Sequence, residues 1–376
     1  MADRPPDTWE DQVRVGAKAF EDGDFDVAEV ALCRALDQAE GFEARDGRLS
    51  LTLNHLGMLY YADGRLDEAL PALRRSLELL KDQPESEEAA TGENNLAQVL
   101  DELDRSDEAQ ALYERSLSTR LKVFGENHPA VAASLNNLAV LHKKQGRLSD
   151  AEDFYRRALA IWESSLGSEH PTVGKGRANL ATLFRAAGKV ETAERTYEQA
   201  EKILVESIGE DHLEVAQVRW SRASLYEEQE RFQEAEALFH RALVARVKGY
   251  GAEHVQVARD LQALSLFYSR QGRHAEAGPL QQKAVHLFAE QRGMSHAETL
   301  LASLALARLH HARGKIDDAE EIYVQIIEVA ADHPQDDVLD LARTNYAALL
   351  DSVGRGADAS RLRKSGPEDE GGSKKK

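Results

Sequence analysis

The chain has 376 residues, 42% of them hydrophobic, and its 47 Lys and Arg against 66 Asp and Glu give a formal charge of −19. That acidity argues against nucleic-acid binding, which needs a basic footprint that releases counterions, and against attachment to an anionic membrane surface. No apolar run reaches the ~18 residues of a membrane span, the first ten residues lack a basic-then-apolar signal segment, and the single Cys33 leaves no internal disulfide or thiolate cluster, so a soluble cytoplasmic protein is expected.

Residues 1–8, with Pro5 and Pro6, read as a lead-in. A period governs the chain from residue 9 onward. Ala28, Ala69, Ala109, Ala151, Ala193, Ala235, Ala277, Ala319 and Ala359 recur 40 to 42 residues apart and predict nine units. Five residues before most of them stands a glycine (Gly23, Gly64, Gly146, Gly188, Gly272, Gly314, Gly354), replaced by Asp104 and Glu230 in the third and sixth units. A left-handed residue at that place ends one helix before the next begins. In the fourth unit Leu135, Leu138, Ala139, Leu141 and His142 before the turn, and Leu148, Ala151, Tyr155, Ala158, Leu159 and Trp162 after it, fall at three- and four-residue steps. They predict two amphipathic helices. Small residues before the turn (Gly16, Gly57, Ala97, Ala139, Ala181, Ala223, Ala307) match large ones after it (Leu32, Leu73, Tyr113, Tyr155, Tyr197, Phe239, Tyr323), as a hole matches a knob. Between units come Gly125-Glu-Asn-His128-Pro129, Gly167-Ser-Glu-His170-Pro171 and, less completely, spacers ending in His212, His254 and His296. Glycine can close a second helix there, and proline costs little in the first turn of the next. No segment alternates with the period of a strand, so the fold class is all-α. The tail 364–376 is polar and Gly-rich, and disorder is expected of it.

The spacing of Leu138-Ala139, Gly146, Ala151, Tyr155 and Ala158 resembles the tetratricopeptide repeat (TPR). Leu135-Asn-Asn-Leu-Ala139, Tyr155-Arg-Arg-Ala-Leu159 and Gly125-Glu-Asn-His-Pro129 are similar, more narrowly, to the 42-residue repeats of kinesin light chains. The likeness covers residues 9–363. It implies a right-handed superhelix, an α-solenoid of about nine helix-turn-helix repeats, with first helices on the concave side and second helices on the convex side. No long heptad segment precedes the first repeat, so a motor role does not follow from the likeness.

The spacer histidines do not read as a metal ladder, because equivalent points on packed helices lie about 8 to 10 Å apart and ligands of one zinc sit about 2 Å from it. Helix capping is the expected role. No phosphate loop, nucleophile turn or calcium loop is found, so no metal, no cofactor and no catalysis are expected. The sharper signal is a ladder of asparagines on first helices: Asn54, Asn94 with Asn95, Asn136 with Asn137, and Asn179. Asparagine is a middling helix former, and two reasons for its recurrence stand open: hydrogen bonds to the neighbouring repeat, or pairing with the backbone of an extended peptide. The kinesin light chain resemblance implies the second, a cargo groove.

Charge adds to this. Residues 1–130 hold 14 basic and 29 acidic side chains, a net of −15, whereas residues 131–250 hold 17 and 18, a net of −1. Lys143, Lys144, Lys175 and Arg185 fall on first helices of that middle stretch, and Trp220 offers an aromatic anchor. The candidate peptide-binding set is therefore Asn94, Asn95, Asn136, Asn137, Lys143, Lys144, Lys175, Asn179, Arg185 and Trp220. The same cations could instead pair with carboxylates across repeats. The function expected is a non-catalytic scaffold or adaptor holding an extended acidic segment of a partner protein. The alternative is a peptide- or metabolite-responsive sensor. Self-association through a terminal repeat is a further expectation, because an end repeat lacks a neighbour over its apolar face.

Overall fold

The computed structural model describes residues 8–21, 23–42, 46–332 and 336–364. Most of the lead-in (residues 1–7) and nearly all of the tail (365–376) lie outside the described residues.

Within them the chain forms eighteen helices and no strand, in nine pairs. These are α1 (Trp9–Glu21) with α2 (Phe25–Ala39), α3 (Arg48–Ala62) with α4 (Leu66–Leu79), and α5 (Glu87–Glu102) with α6 (Ser106–Phe124). Next come α7 (Pro129–Lys144) with α8 (Leu148–Leu166), α9 (Pro171–Ala186) with α10 (Val190–Ile208), and α11 (Leu213–Glu228) with α12 (Phe232–Tyr250). The last three are α13 (Val255–Arg270) with α14 (His274–Arg292), α15 (Ala297–Ala312) with α16 (Ile316–Asp332), and α17 (Asp336–Ser352) with α18 (Gly356–Lys364). Two compact units divide them: residues up to Glu210 together with Ser224–Arg231, and Asp211–Ala223 together with Phe232 onward.

Each pair is hinged where the sequence places its turn. Gly146 takes φ 77°, its N–H donates to the Lys143 carbonyl at 3.0 Å, and the Arg147 N–H reaches back to the His142 carbonyl at 2.9 Å. That double bond satisfies the last carbonyls of α7. Asp104 and Glu230 adopt the same left-handed backbone, at φ 57° and 59°. The knob-and-hole match is tightest at Gly57, where a Cβ would lie 2.5 Å from Cγ of the fully buried Leu73. In later repeats Tyr113, Tyr155, Tyr197 and Tyr323 are buried as the knobs of their own pairs.

The five spacer histidines are caps. Nδ1 of His128, His170, His212, His254 and His296 accepts the backbone N–H two residues on, at 3.0 to 3.2 Å. Each thereby satisfies an orphan donor at the start of α7, α9, α11, α13 or α15.

Neighbouring repeats stack by one rule in each unit. A second helix packs on the following first helix, and first helices also touch one another directly, as α1 does α3, α3 does α5, α7 does α9 and α15 does α17. First helices therefore form the inner layer of the stack. Second helices are clasped to each other by a basic residue just before one and an acidic residue one turn into the previous one: Arg65 with Glu29 at 2.6 Å, Lys189 with Glu152 at 2.9 Å, Arg231 with Glu194 at 3.0 Å, Arg273 with Glu236 at 2.6 Å and Arg355 with Glu320 at 2.8 Å. Tyr226 and Tyr268 complete two of them, each donating its hydroxyl to the same glutamate and lying flat under the same guanidinium.

Candidate functional site

The inner layer of the first unit carries the asparagine ladder on α3, α5, α7 and α9. Its amides form one unbroken chain of hydrogen bonds. Asn179 donates to Asn136 at 3.0 Å, Asn136 to Asn137 at 3.4 Å, Asn137 to Asn94 at 2.8 Å, Asn94 to Asn95 at 3.4 Å and Asn95 to Asn54 at 3.0 Å. In each adjacent pair one member faces the preceding repeat and the other receives from the following one. The inter-repeat role weighed from the sequence therefore holds along the whole ladder. Asn94 is buried and the others are half-buried. An amide carries two N–H donors and two acceptor lone pairs, so every member keeps capacity beyond the bonds it makes here.

The cations around the ladder divide into two kinds. Lys144 is tied to α5: its ammonium donates to the Asp101 carbonyl at 2.6 Å and lies 3.2 Å from the Asp101 carboxylate and 3.4 Å from that of Asp104. Arg185 makes a two-pronged pair with Glu228, at 2.5 and 2.9 Å, which raises its pKa above the ordinary value. Lys175 is exposed. Lys143 is different. It is half-buried on α7 and has no hydrogen-bond or ion-pair partner among the described residues. Burial, and then the charge of Arg185, hold its ammonium below the ordinary lysine range. The inner layer of a chain with a net charge of −19 thus holds a cation with no counter-charge among the described residues.

Trp220 belongs to the second unit. Its ring meets Phe239 edge-on at 4.7 Å, lies under the Arg246 guanidinium at 4.9 Å, and packs on Ala216, Ala242 and Ala245. Arg246 is itself buried and paired with the buried Asp260, whose carboxyl is pushed up by that burial. Three repeats earlier, Arg120 occupies the same place and donates to Ser134 and the Ala130 carbonyl. Sequence reading passed over these buried arginines. Their signal was a charged residue at the position filled by Trp162, Leu204 and Phe288 in other units. No group of three or more potential metal ligands comes together among the described residues.

The sequence profile of the tetratricopeptide repeat matches six overlapping stretches, residues 12–82, 88–164, 145–204, 175–248, 214–277 and 260–332. The chain belongs to the tetratricopeptide repeat family. Two solved structures agree with its fold. The signal-transduction ATPase with a TPR sensor from Pyrococcus horikoshii is 13% identical, with a TM-score of 0.64 over 95% of this chain and 52% of that one. The quorum sensor NprR from B. thuringiensis in its apo form is 14% identical, with a TM-score of 0.58 over 85% of this chain and 86% of that one. A putative kinesin light chain repeat protein from Podosopora anserina is 25% identical, with a TM-score of 0.49 over 55% of this chain and 99% of that one. No curated protein matches the sequence. The TPR is a protein-interaction fold, and no catalytic family is matched.

Proposed function

We propose that this TPR chain is a non-catalytic scaffold that holds an extended acidic segment of a partner protein along the inner helices of its first unit. The observation that carries this reading is Lys143, a half-buried ammonium without a counter-charge among the described residues, close to the charge of Arg185 and on the same helix, α7, as the amides of Asn136 and Asn137, about two turns away. A carboxylate arriving there gains a charge-assisted hydrogen bond and relieves an uncompensated charge. Asn94, Asn95, Lys144 and Lys175 extend the contact along α5, α7 and α9, the amides through their second donors and acceptors. Trp220 stays outside the groove so drawn, because it lies in the second unit and its ring is occupied by Phe239 and Arg246. The same reading makes the protein cytoplasmic, independent of cofactor and nucleic acid, and able to self-associate through a terminal repeat.

The test is a pull-down from native lysate with wild type and with Lys143→Glu combined with Lys175→Glu, at two salt concentrations. Loss of one salt-sensitive partner from a variant with unchanged helical circular dichroism is expected. Recovery of the same partners by both proteins would sink the inner-layer site. A sensor would instead show a ligand-dependent change in small-angle scattering.

A further inference from the structure

The outward face of α2, in the first repeat, departs from the pattern of every other second helix. The residue just before the unit's alanine is acidic in seven of the other eight units, from Glu68 to Asp358, and is Thr192 in the remaining one. In the first unit it is Val27, and Val30 follows one turn on. The two are 46% and 52% exposed. With Ala31 and, across from them, Val15 of α1, they line a groove of about 330 Å³. Asp26 marks one end of this stripe and Arg34 the other. Both are exposed, and neither has a hydrogen-bond or ion-pair partner among the described residues.

Residues 26, 30 and 34 are spaced by four, so they share a helix face and span about 12 Å along the axis. An acid, two valines and a base in that order form their own complement when the helix is reversed about its middle residue. That is the requirement of an isologous contact, in which one patch faces its own copy across a two-fold axis. A foreign helix would fit the valines without needing charges placed symmetrically about Val30. We propose that this face is a contact between two copies of the chain, their α2 helices antiparallel, with Val30 at the axis and Asp26 of each copy opposite Arg34 of the other. The inference rests on the self-association reading above and assigns it a surface and a register. Val27 then packs beside Cys33 of the opposite helix, and the contact covers the groove.

Sedimentation equilibrium of the full chain over a range of concentrations tests it, with Val30→Glu, Asp26→Arg, Arg34→Asp and the double reversal. All four changes are on exposed positions, so circular dichroism should be unaltered. Wild type should dimerise, and Val30→Glu should weaken the dimer by at least about tenfold by placing two like charges at the apolar axis. Each single reversal sets like charges opposite each other twice and should weaken it by about tenfold, while the double reversal should return it to within about threefold of wild type. Val30→Cys in a Cys33→Ser background should cross-link on mild oxidation. A wild type that stays monomeric overturns self-association as a whole. A dimer indifferent to Val30→Glu overturns this surface alone. A double reversal no better than the singles overturns the register.

Discussion

At the level of single residues, the turn between paired helices is where this chain departs from its own rule. Asp104 and Glu230 hold a left-handed backbone that glycine holds at the same place in the other units. A side chain there costs roughly 1 to 2 kcal/mol, part of which glycine loses again through its freer unfolded chain. Glu230→Gly is therefore expected to stabilise the protein by about 1 kcal/mol in urea unfolding. The cap formed by His254 predicts a pH dependence. Nδ1 of His254 must be unprotonated to accept the Gln256 N–H. Burial, followed by the charges of Arg259 and Arg292, lowers its pKa from the ordinary 6.5. The depressed value means that the unfolded chain binds the proton more readily, so the cap's contribution is complete above about 6.5 and disappears as pH falls through the folded-state value. His254→Asn keeps a capping acceptor that does not titrate. Its thermal midpoint should fall less than that of wild type between about pH 7 and pH 5.

At the level of paired elements, the ladder and the unpartnered lysine make opposite predictions. Asn137→Ala removes the donor to Asn94 and the acceptor for Asn136, leaving the buried Asn94 carbonyl unsatisfied. It is expected to cost about 1 to 3 kcal/mol in chemical unfolding, whether or not a ligand is present. Lys143 bonds to nothing among the described residues, so changing it should move binding far more than folding. Much of this geometry was legible beforehand. The asparagines, their first-helix location and the neighbouring cations could all be read from spacing. The sequence did not reveal that the amides join into one chain, or that Lys144 and Arg185 find carboxylates while Lys143 does not. Those partners sit about 43 residues away, and no local pattern reports a bond across a repeat. The clasps between second helices were missed for the same reason, although both partners, such as Glu236 and Arg273, were in plain view.

Across the whole molecule, repeats that touch mainly their neighbours transmit damage only a short way. Leu73 is fully buried in a cluster with Leu96, Leu100 and Tyr113. Leu73→Ala is expected to cost about 2 to 5 kcal/mol locally. Hydrogen exchange should show lost protection in α3, α4 and α5 and unchanged protection in α15 to α17, where a separate core forms around Leu300, Tyr323 and Leu349. A uniform loss along the chain would contradict nearest-neighbour stacking.

The sequence by itself determined the nine helix pairs and their turns. Helical periodicity, a left-handed glycine and an N-terminal cap each act within a few turns of one helix, so they are written locally. Only the tertiary structure decided which charges are satisfied, which amides join, and which face of α2 no other described residue covers. A long charged side chain takes whatever partner lies within about 4 Å, and that distance is set by the stacking of neighbouring repeats.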